Sequence, residues 1–119
     1  MDWALNKKNP LCPQIYEQIC VSIAKGEFQP DERLMSVREV AVAAGVNPNT
    51  VQKAFEALEQ AGILYSVRGS GWFAGEDTAK AKAVLKKIID QKTAAYFKEM
   101  ESLGLSLEAA KQYIKEWNQ

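Results

Sequence analysis

The stretch that decides the fold is Gly45-Val46-Asn47-Pro48-Asn49-Thr50-Val51-Gln52-Lys53. Asn47 is a strong N-cap residue, and Pro48 suits the first helical position, where its missing N–H costs nothing. Behind this start, apolar residues recur at spacings of three and four and predict one buried stripe, namely Val51, Ala54, Phe55, Leu58 and Ala61. Gly62 then ends the predicted helix.

The other face of this helix begins with polar side chains, namely Asn49, Thr50, Gln52 and Lys53. These side chains can donate hydrogen bonds to phosphates and base edges, and the acidic residues Glu56 and Glu59 come only in later turns. Taken alone, an ordinary amphipathic helix with a solvated polar face is the safer interpretation of the stretch.

The segment before this helix places it in a larger motif. Ser36-Val37-Arg38-Glu39 has the pattern of a capping box, in which Ser36 and Glu39 each satisfy the other's backbone N–H at a helix start. The helix that it opens ends near Ala44, so a turn of only a few residues, with a glycine, separates the two helices. That spacing is typical of a helix-turn-helix.

The segment after the helix predicts a β-hairpin. Residues 63–67 have strand composition, residues 68–71 form a turn, and residues 72–74 start a second strand. A helix-turn-helix followed by a hairpin is a winged helix. The tip of this wing carries Arg68, Gly69 and Ser70, which suit close approach to a sugar–phosphate backbone, although a plain hairpin with a flexible turn fits the same residues.

The two ends of the chain complete the predicted architecture. Residues 1–9 form a polar lead-in that we expect to be a loosely tethered arm or a short extended segment, and residues 11–25 form a helix ended by Gly26. Residues 77–103 and 106–117 predict two further amphipathic helices. The fold class is therefore mainly α with a small β-hairpin, with a winged helix-turn-helix domain over residues 1–75 and a two-helix segment over residues 76–119.

Two helices of this size cannot build an independent core, so they need a partner. We expect that partner to be a second copy of the chain. The dimerisation residues predicted on the apolar faces of the two helices are Leu85, Ile88, Ile89, Tyr96, Met100, Leu103, Tyr113, Ile114 and Trp117.

Composition excludes several kinds of chemistry. The chain has no histidine, and its two cysteines, Cys12 and Cys20, lie eight positions apart in one predicted helix, about 12 Å along its axis. That distance is too long for a disulfide, and two thiols make a zinc site very improbable. We therefore predict no metal, no cofactor and no histidine-based acid–base catalysis.

Charge and hydropathy bear on partners and location. Fifteen basic residues balance fifteen acidic ones, so any DNA binding depends on where single cations are placed and not on bulk charge. No segment has the length and apolarity of a membrane span or a signal peptide, so we expect a soluble, cytoplasmic protein without a membrane partner.

In the order and spacing of several segments, the sequence resembles the GntR family of bacterial transcription regulators. The Asn-Pro-Asn-Thr-Val motif and the short two-helix tail resemble its YtrA-like subfamily. The resemblance covers roughly residues 10–75. The matching segments are Pro10-Leu11, Gln14-Ile15, the run from Leu34 to Ala41, the run from Gly45 to Val51, and Arg68-Gly69-Ser70-Gly71.

Four positions depart from the family pattern. Met35 replaces a usual proline, Asp31 a common glycine, and Cys12 a frequent tyrosine. Trp72 stands where a small hydroxyl residue is usual, and its bulky ring has two possible roles, packing on the core or touching DNA; packing is the favoured one.

The resemblance implies a set of DNA-binding residues. Ser36 and Arg38 would contact phosphate and base, and Arg38 could read a guanine through a bidentate pair. In or beside the major groove would lie Asn47, Pro48, Asn49, Thr50, Gln52 and Lys53. The wing residues Arg68, Gly69 and Ser70 would reach the minor groove or its flanking phosphates.

These observations favour a transcription regulator, expected to be a repressor, that binds an inverted repeat of double-stranded DNA as a homodimer. The alternative is a winged-helix module that binds proteins without DNA. An enzyme is the least favoured class, because no acid, base and nucleophile cluster in the sequence. A small-molecule effector at the dimer interface remains open, and a deep ligand pocket is not expected.

Overall fold

The computed structural model describes residues 1–118 and, within them, shows five helices and one two-stranded antiparallel sheet. In chain order the elements are α1 (Leu11–Ala24), α2 (Val37–Ala44), α3 (Pro48–Gln60), β1 (Leu64–Val67), β2 (Gly71–Ala74), α4 (Ala79–Ser102) and α5 (Leu107–Glu116). The prediction of a mainly helical, winged helix-turn-helix fold is confirmed.

The chain divides into two compact units, Met1–Leu85 and the residues from Lys86 onward, so the division falls inside α4. The first turns of α4 belong to the first unit, where Ala81 is buried and its carbonyl accepts a hydrogen bond from the Cys20 thiol at 3.3 Å. Burial also raises the pKa of Cys20. The domain boundary predicted between residues 75 and 76 stays a prediction.

The core of the first unit forms where α1 and α3 pack together. Ile15 and Ile19 of α1 and Val51, Phe55 and Leu58 of α3 are completely buried, as their three- and four-residue spacing predicted. Burying a side chain of this size stabilises the fold by about 1.5–3 kcal/mol. The predicted apolar stripe therefore fixes which face of α3 turns inward and leaves the opposite face free.

Trp72 packs on this core, as favoured from the sequence. Its ring meets that of Phe55 edge to face, with centroids 5.3 Å apart and an interplanar angle of 82°. Such aromatic pairs add about 0.5–1.5 kcal/mol beyond the area they bury. The contact joins the second strand of the wing to α3.

The loop before α2 pairs with the wing. Asp31 N–H donates to the Ala74 carbonyl at 3.1 Å, Ala74 N–H donates to the Glu32 carbonyl at 2.8 Å, and Leu34 N–H donates to the Trp72 carbonyl at 2.8 Å. Residues 31–34 thus lie along β2 in the manner of a short third strand. This pairing brings the start of α2 to the base of the wing.

Asp31 has a backbone conformation that suits glycine, the residue common at this position in the family. Its φ is +64°, in the left-handed region, which aspartate tolerates better than most residues. Its carboxylate also accepts a hydrogen bond from the Tyr65 hydroxyl at 2.9 Å, which raises the pKa of Tyr65. The loop therefore keeps its geometry without the glycine.

The N-terminal arm is anchored, so the expectation of a loosely tethered segment was wrong. Trp3 and Leu5 are half-buried against the core, and the Gln14 side chain exchanges two hydrogen bonds with the backbone of Asn6, at 2.8 and 2.9 Å. The arm is also held by Lys7, whose ammonium donates to the Gly45 carbonyl at 3.0 Å. Apolar contacts and side-chain hydrogen bonds thus anchor a segment whose polar composition had indicated a loosely tethered arm.

The second unit consists of the rest of α4 together with α5. Ser106 caps α5 as predicted, with the Ala109 N–H donating to its hydroxyl at 3.1 Å, and Ala110 is buried. Many large apolar side chains here stay exposed, namely Ile89, Tyr96, Leu103, Leu107, Tyr113, Ile114 and Trp117. A shallow cleft of about 440 Å³, with Ile89, Tyr96, Phe97 and Ile114 in its lining, runs along this surface.

Among the described residues, no helix combines the length and apolarity that crossing a membrane would require.

Candidate nucleic-acid interface

The start of α2 is fixed by a capping box. The Glu39 N–H donates to the Ser36 hydroxyl at 3.1 Å, and the Ser36 N–H donates to the Glu39 carboxylate at 3.0 Å. The hydrogen bond from the Ser36 backbone is the largest cause of a lowered pKa at Glu39, followed by the Ser36 hydroxyl. This cap confirms the predicted helix start and holds Arg38, on the first turn, in a defined position.

Replacing Ser36 by alanine should lower the thermal midpoint, because one N–H of α2 loses its acceptor. Loss of an N-cap side chain costs about 1 kcal/mol, which corresponds to a decrease of about 4 °C for a chain of this size. Thermal unfolding followed by circular dichroism measures the change, with Ser36→Thr as the control that keeps a hydroxyl. An unchanged midpoint in Ser36→Ala would contradict the role of the cap.

The same capping box should make the free energy of unfolding depend on pH in the acidic range. The pKa of Glu39 is lower in the folded protein than its ordinary value of 4.5. The ionised carboxylate therefore stabilises the fold fully above pH 4.5, and this stabilisation is lost as the pH falls through the lowered pKa of the folded state.

The start of α3 is capped by Asn47. The Asn49 N–H donates to the Asn47 side-chain oxygen at 2.8 Å, and Pro48 occupies the first turn of the helix. The side-chain oxygen of Asn47 therefore fixes the helix start, and the side-chain NH₂ group remains for contact with DNA. Asn49 and Lys53 are exposed, and Thr50 is half-buried.

The turn between the two helices depends on Gly45. Its φ of +70° is a conformation that residues with side chains rarely adopt, and an added Cβ would lie 3.1 Å from the Lys7 ammonium. That ammonium lies at the carboxyl end of α2, where the helix dipole favours a positive charge. Lys7 thus joins the N-terminal arm to the turn that sets the angle of α3.

Gln52 is already engaged in the absence of DNA. Its side-chain amide donates to the Glu56 carboxylate, one turn later on α3, at 3.0 Å. The second N–H and the side-chain oxygen of Gln52 are not used by this hydrogen bond, and they are the groups with which Gln52 could read a base edge.

One cleft brings several of the predicted residues together. It has a volume of about 300 Å³ and lies between the start of α2, the exposed face of α3 and the base of the wing; its lining is Arg33, Leu34, Ser36, Val37, Arg38, Gln52, Gly71 and Trp72. Gln52 therefore shares one surface with Ser36 and Arg38, which lie 14 or more positions before it in the sequence. The cleft does not include Asn49, Lys53 or the wing tip.

The wing tip is a tight, exposed turn held by its strands. Val67 pairs with Gly71 across the hairpin, and the Ser70 N–H donates to the Val67 carbonyl at 2.9 Å. Arg68, Gly69 and Ser70 lie at the end of this turn and are exposed. All three are accessible, as contact with DNA would require.

Glu59 connects the wing to α3. Its carboxylate accepts hydrogen bonds from the Ser66 hydroxyl at 2.8 Å and from the Ser66 N–H at 3.1 Å. This acidic residue therefore orients the hairpin relative to the helix that we predict to enter the major groove.

Sequence reasoning missed Arg33. This arginine forms an isolated bridge with Phe73, and its guanidinium lies beside Gly71, where an added Cβ would be 3.4 Å from Arg33 Nε. It lines the same cleft as Arg38, and it adds a second guanidinium there. No local pattern in the sequence indicates that residue 33 meets residues 71–73.

Two kinds of positive group lie on this surface, beside the Glu39 carboxylate on the first turn of α2. The capped starts of α2 and α3 add the positive ends of two helix dipoles to the guanidinium groups of Arg33 and Arg38. Within residues 1–118, no cluster of three or more acidic or cysteine side chains is arranged to hold a metal ion. The surface is thus suited to an anionic partner without needing a net positive chain.

Comparison with known proteins agrees with this architecture. The sequence profile of bacterial regulatory proteins of the gntR family matches residues 11–74. The chain is 33% identical to the uncharacterized HTH-type transcriptional regulator YhcF of Bacillus subtilis, over 97% of this chain and 95% of YhcF. It is 36% identical to the HTH-type transcriptional repressor YtrA of the same organism, over 90% of this chain and 83% of YtrA.

Solved structures show the same likeness. A GntR family transcriptional regulator from Listeria monocytogenes aligns over 96% of this chain and 100% of its own, with a TM-score of 0.80 and 32% identity. The DNA-binding domain of AraR, crystallised in complex with operator ORE1, aligns over 63% of this chain and 94% of its own, with a TM-score of 0.55 and 31% identity. The chain therefore belongs to the GntR family of bacterial regulatory proteins.

Proposed function

We propose that this chain, a DNA-binding regulator of transcription, acts as a repressor that binds an inverted-repeat operator as a homodimer. The observation that carries the proposal is the shared cleft, which joins the capped start of α2 to the exposed face of α3 beside the wing. In a helix-turn-helix the second helix enters the major groove, so α3 would be the recognition helix. The similarity to the repressor YtrA supports the direction of regulation.

Each predicted DNA-binding residue receives a specific role in this proposal. Arg38 reads a base, while Ser36 and Arg33 contact phosphate from the side of the cleft. Asn49 and Gln52 reach base edges, and Lys53 holds a phosphate, with Asn47, Pro48 and Thr50 lining the same groove. Arg68, Gly69 and Ser70 lie against the minor groove or its flanking phosphates.

The homodimer is supported by the apolar surface of the second unit. Trp117, at the end of α5, is 60% exposed, Tyr113 of α5 is 59% exposed and Ile89 of α4 is 54% exposed, which is unusual for a group of side chains of this size. A second copy would cover them through a two-fold interface. Ile88, Met100 and Leu103 complete the proposed dimerisation set in this unit with Tyr96 and Ile114. Leu85, which was also predicted, lies in the first unit and is half-buried against its core, so we do not place it in the proposed interface.

Two-fold symmetry constrains the operator. The two recognition helices must meet successive major grooves on one side of the duplex, so the centres of the half-sites should lie about one turn, roughly 10 bp, apart. We further propose that the protein acts in the cytoplasm, where bacterial DNA is found. We also propose that it acts by binding DNA and not by catalysis, in keeping with relatives that regulate transcription.

The proposal is tested by a footprint of the purified protein on the DNA upstream of its own gene. Two protected half-sites related by two-fold symmetry would support a dimeric operator-binding protein. Absence of protection at low salt would overturn DNA binding, and protection of a single half-site at every protein concentration would overturn the dimer.

Replacing Lys53 by alanine should weaken binding to all DNA sequences and reduce its salt dependence. Each phosphate contact contributes about one to the slope of log Kd against log salt concentration, so the slope should fall by about one for each bound protomer. Fluorescence anisotropy at several salt concentrations measures the slope. Lys98→Ala, at an exposed lysine on α4, is the matched control, and an equal slope in both variants would remove Lys53 from the interface.

A further inference from the structure

A second cleft adjoins the proposed DNA-binding surface at Arg38. It has a volume of about 370 Å³, and its lining is Arg38, Ala41, Val42, Val46 and Pro48. Arg38 therefore lines both clefts. Four of the five lining residues are apolar, whereas the first cleft is lined by several polar side chains.

Val42 is the most unusual residue of this cleft. Its side chain is 83% exposed on α2, one turn after Arg38 and on the same face of the helix. A β-branched residue is not favoured by helix propensity at such a position, and Val42 packs on nothing in the core. Its exposed methyl groups are therefore available to a bound partner.

Pro48 gives the cleft its position relative to DNA. It occupies the first turn of α3, the end of a recognition helix that contacts base edges. Because proline has no backbone N–H, this position presents an apolar ring where other residues would present a donor. The cleft is thus continuous with the proposed DNA interface.

We propose that this cleft receives the 5-methyl group of a thymine beside the base pair read by Arg38. The thymine methyl is the apolar group that the bases of DNA display in the major groove, and aliphatic side chains are its usual contacts. Arg38, which also lines the cleft, fixes the register by contacting the neighbouring base. The inference rests on the proposed function and adds Val42 as a specificity-determining residue.

The test compares thymine with uracil, which differ only in this methyl group. Duplexes are first selected from a random pool by the wild-type protein, and each thymine of the best duplex is then replaced in turn by deoxyuridine. We expect one thymine in each half-site whose replacement raises Kd about fourfold, the effect of about one buried methyl group, and about fifteenfold when both half-sites are changed.

Val42→Ala should lower the ratio of the two Kd values at that thymine by about half, because the two exposed methyl groups of Val42 are lost while Ala41, Val46 and Pro48 still line the cleft. Ala43→Ser, at the adjacent exposed position of α2, is the matched control and should keep the wild-type ratio. Thermal unfolding of both variants establishes that they fold.

The possible failures are distinguishable. If the wild-type protein selects no duplex, the proposed function is overturned and the inference falls with it. If it selects a duplex but binds thymine and uracil equally at every position, the inference alone is overturned. The same follows if the preference for thymine in Val42→Ala equals that of the wild type.

Discussion

Replacing Ile114 by glutamate should separate the proposed dimer and, with it, abolish tight operator binding. Ile114 lines the cleft of the second unit with Ile89, Tyr96 and Phe97, and removing a carboxylate there from water on association costs desolvation free energy even though Lys92 lines the same cleft. A central interface side chain is worth about 2 kcal/mol or more, and symmetry places the substitution in the interface twice. We therefore expect the dimer dissociation constant to rise at least about 100-fold.

Operator affinity should fall because the two half-sites would no longer be bound by linked recognition helices. Linkage of two binding units commonly raises affinity by about 10²- to 10⁴-fold, and this factor is lost in a monomer. Sedimentation velocity gives the oligomeric state, and anisotropy at the same protein concentrations gives operator affinity.

The matched control is Gln112→Glu, which adds the same charge at an exposed polar position of α5. It should remain dimeric and bind the operator as the wild type does, apart from a modest loss of helix stability, because the hydrogen bond to Glu116 is replaced by a pair of carboxylates one turn apart. A dimeric Ile114→Glu variant would show that the apolar face of α5 is not the interface.

Arg38→Ala should reduce operator affinity by about 5- to 150-fold, the equivalent of about 1–3 kcal/mol for a bidentate base contact. It should also relax the base preference at one position of each half-site, because the guanidinium is the group that distinguishes guanine there. Selection from a random pool, repeated with the variant, reports both effects.

Arg38→Lys separates charge from geometry. Lysine keeps the positive charge but lacks the planar pair of donors, so the salt slope should be preserved while the preference for guanine weakens. If Arg38→Ala binds operator and random DNA with unchanged affinities, Arg38 is not a DNA-binding residue.

Much of the fold could be predicted because its signals are local. Ser36 and Ser106 cap helices as their sequence context indicates, and Asp77 caps α4 through a 2.9 Å hydrogen bond from the Ala79 N–H. Gly45 and Gly62 follow α2 and α3 with positive φ, as residues that end helices commonly do. Each of these signals depends on residues within a few positions of one another.

The pairing of residues 31–34 with β2 could not be predicted in the same way. It joins positions about forty apart, and the pattern of the loop shows no strand alternation. The position of Arg33 in the cleft depends entirely on this pairing. The Lys7 contact with Gly45 is similar, because 38 positions separate a flexible side chain from its acceptor.

The candidate site was predicted as a set of residues but not as a geometry. Gln52 and Glu56 are one turn apart on α3, so their hydrogen bond follows from helical spacing and was overlooked. Arg38 borders two clefts, one with several polar lining residues and one lined mostly by apolar residues. This arrangement depends on tertiary packing, which the periodicity of the sequence does not reveal.

If the subunits pair as proposed, helix α4 has a consequence for the amount of protein in the cell. Of its 24 residues only Ala81 is buried, so an unpaired subunit would present a long, poorly protected helix and exposed apolar side chains to proteases. Association would remove this surface and stabilise the subunits by mass action. Newly made chains would then survive in proportion to how quickly they find a partner, and turnover of the unpaired ones would set a threshold concentration below which no stable regulator accumulates.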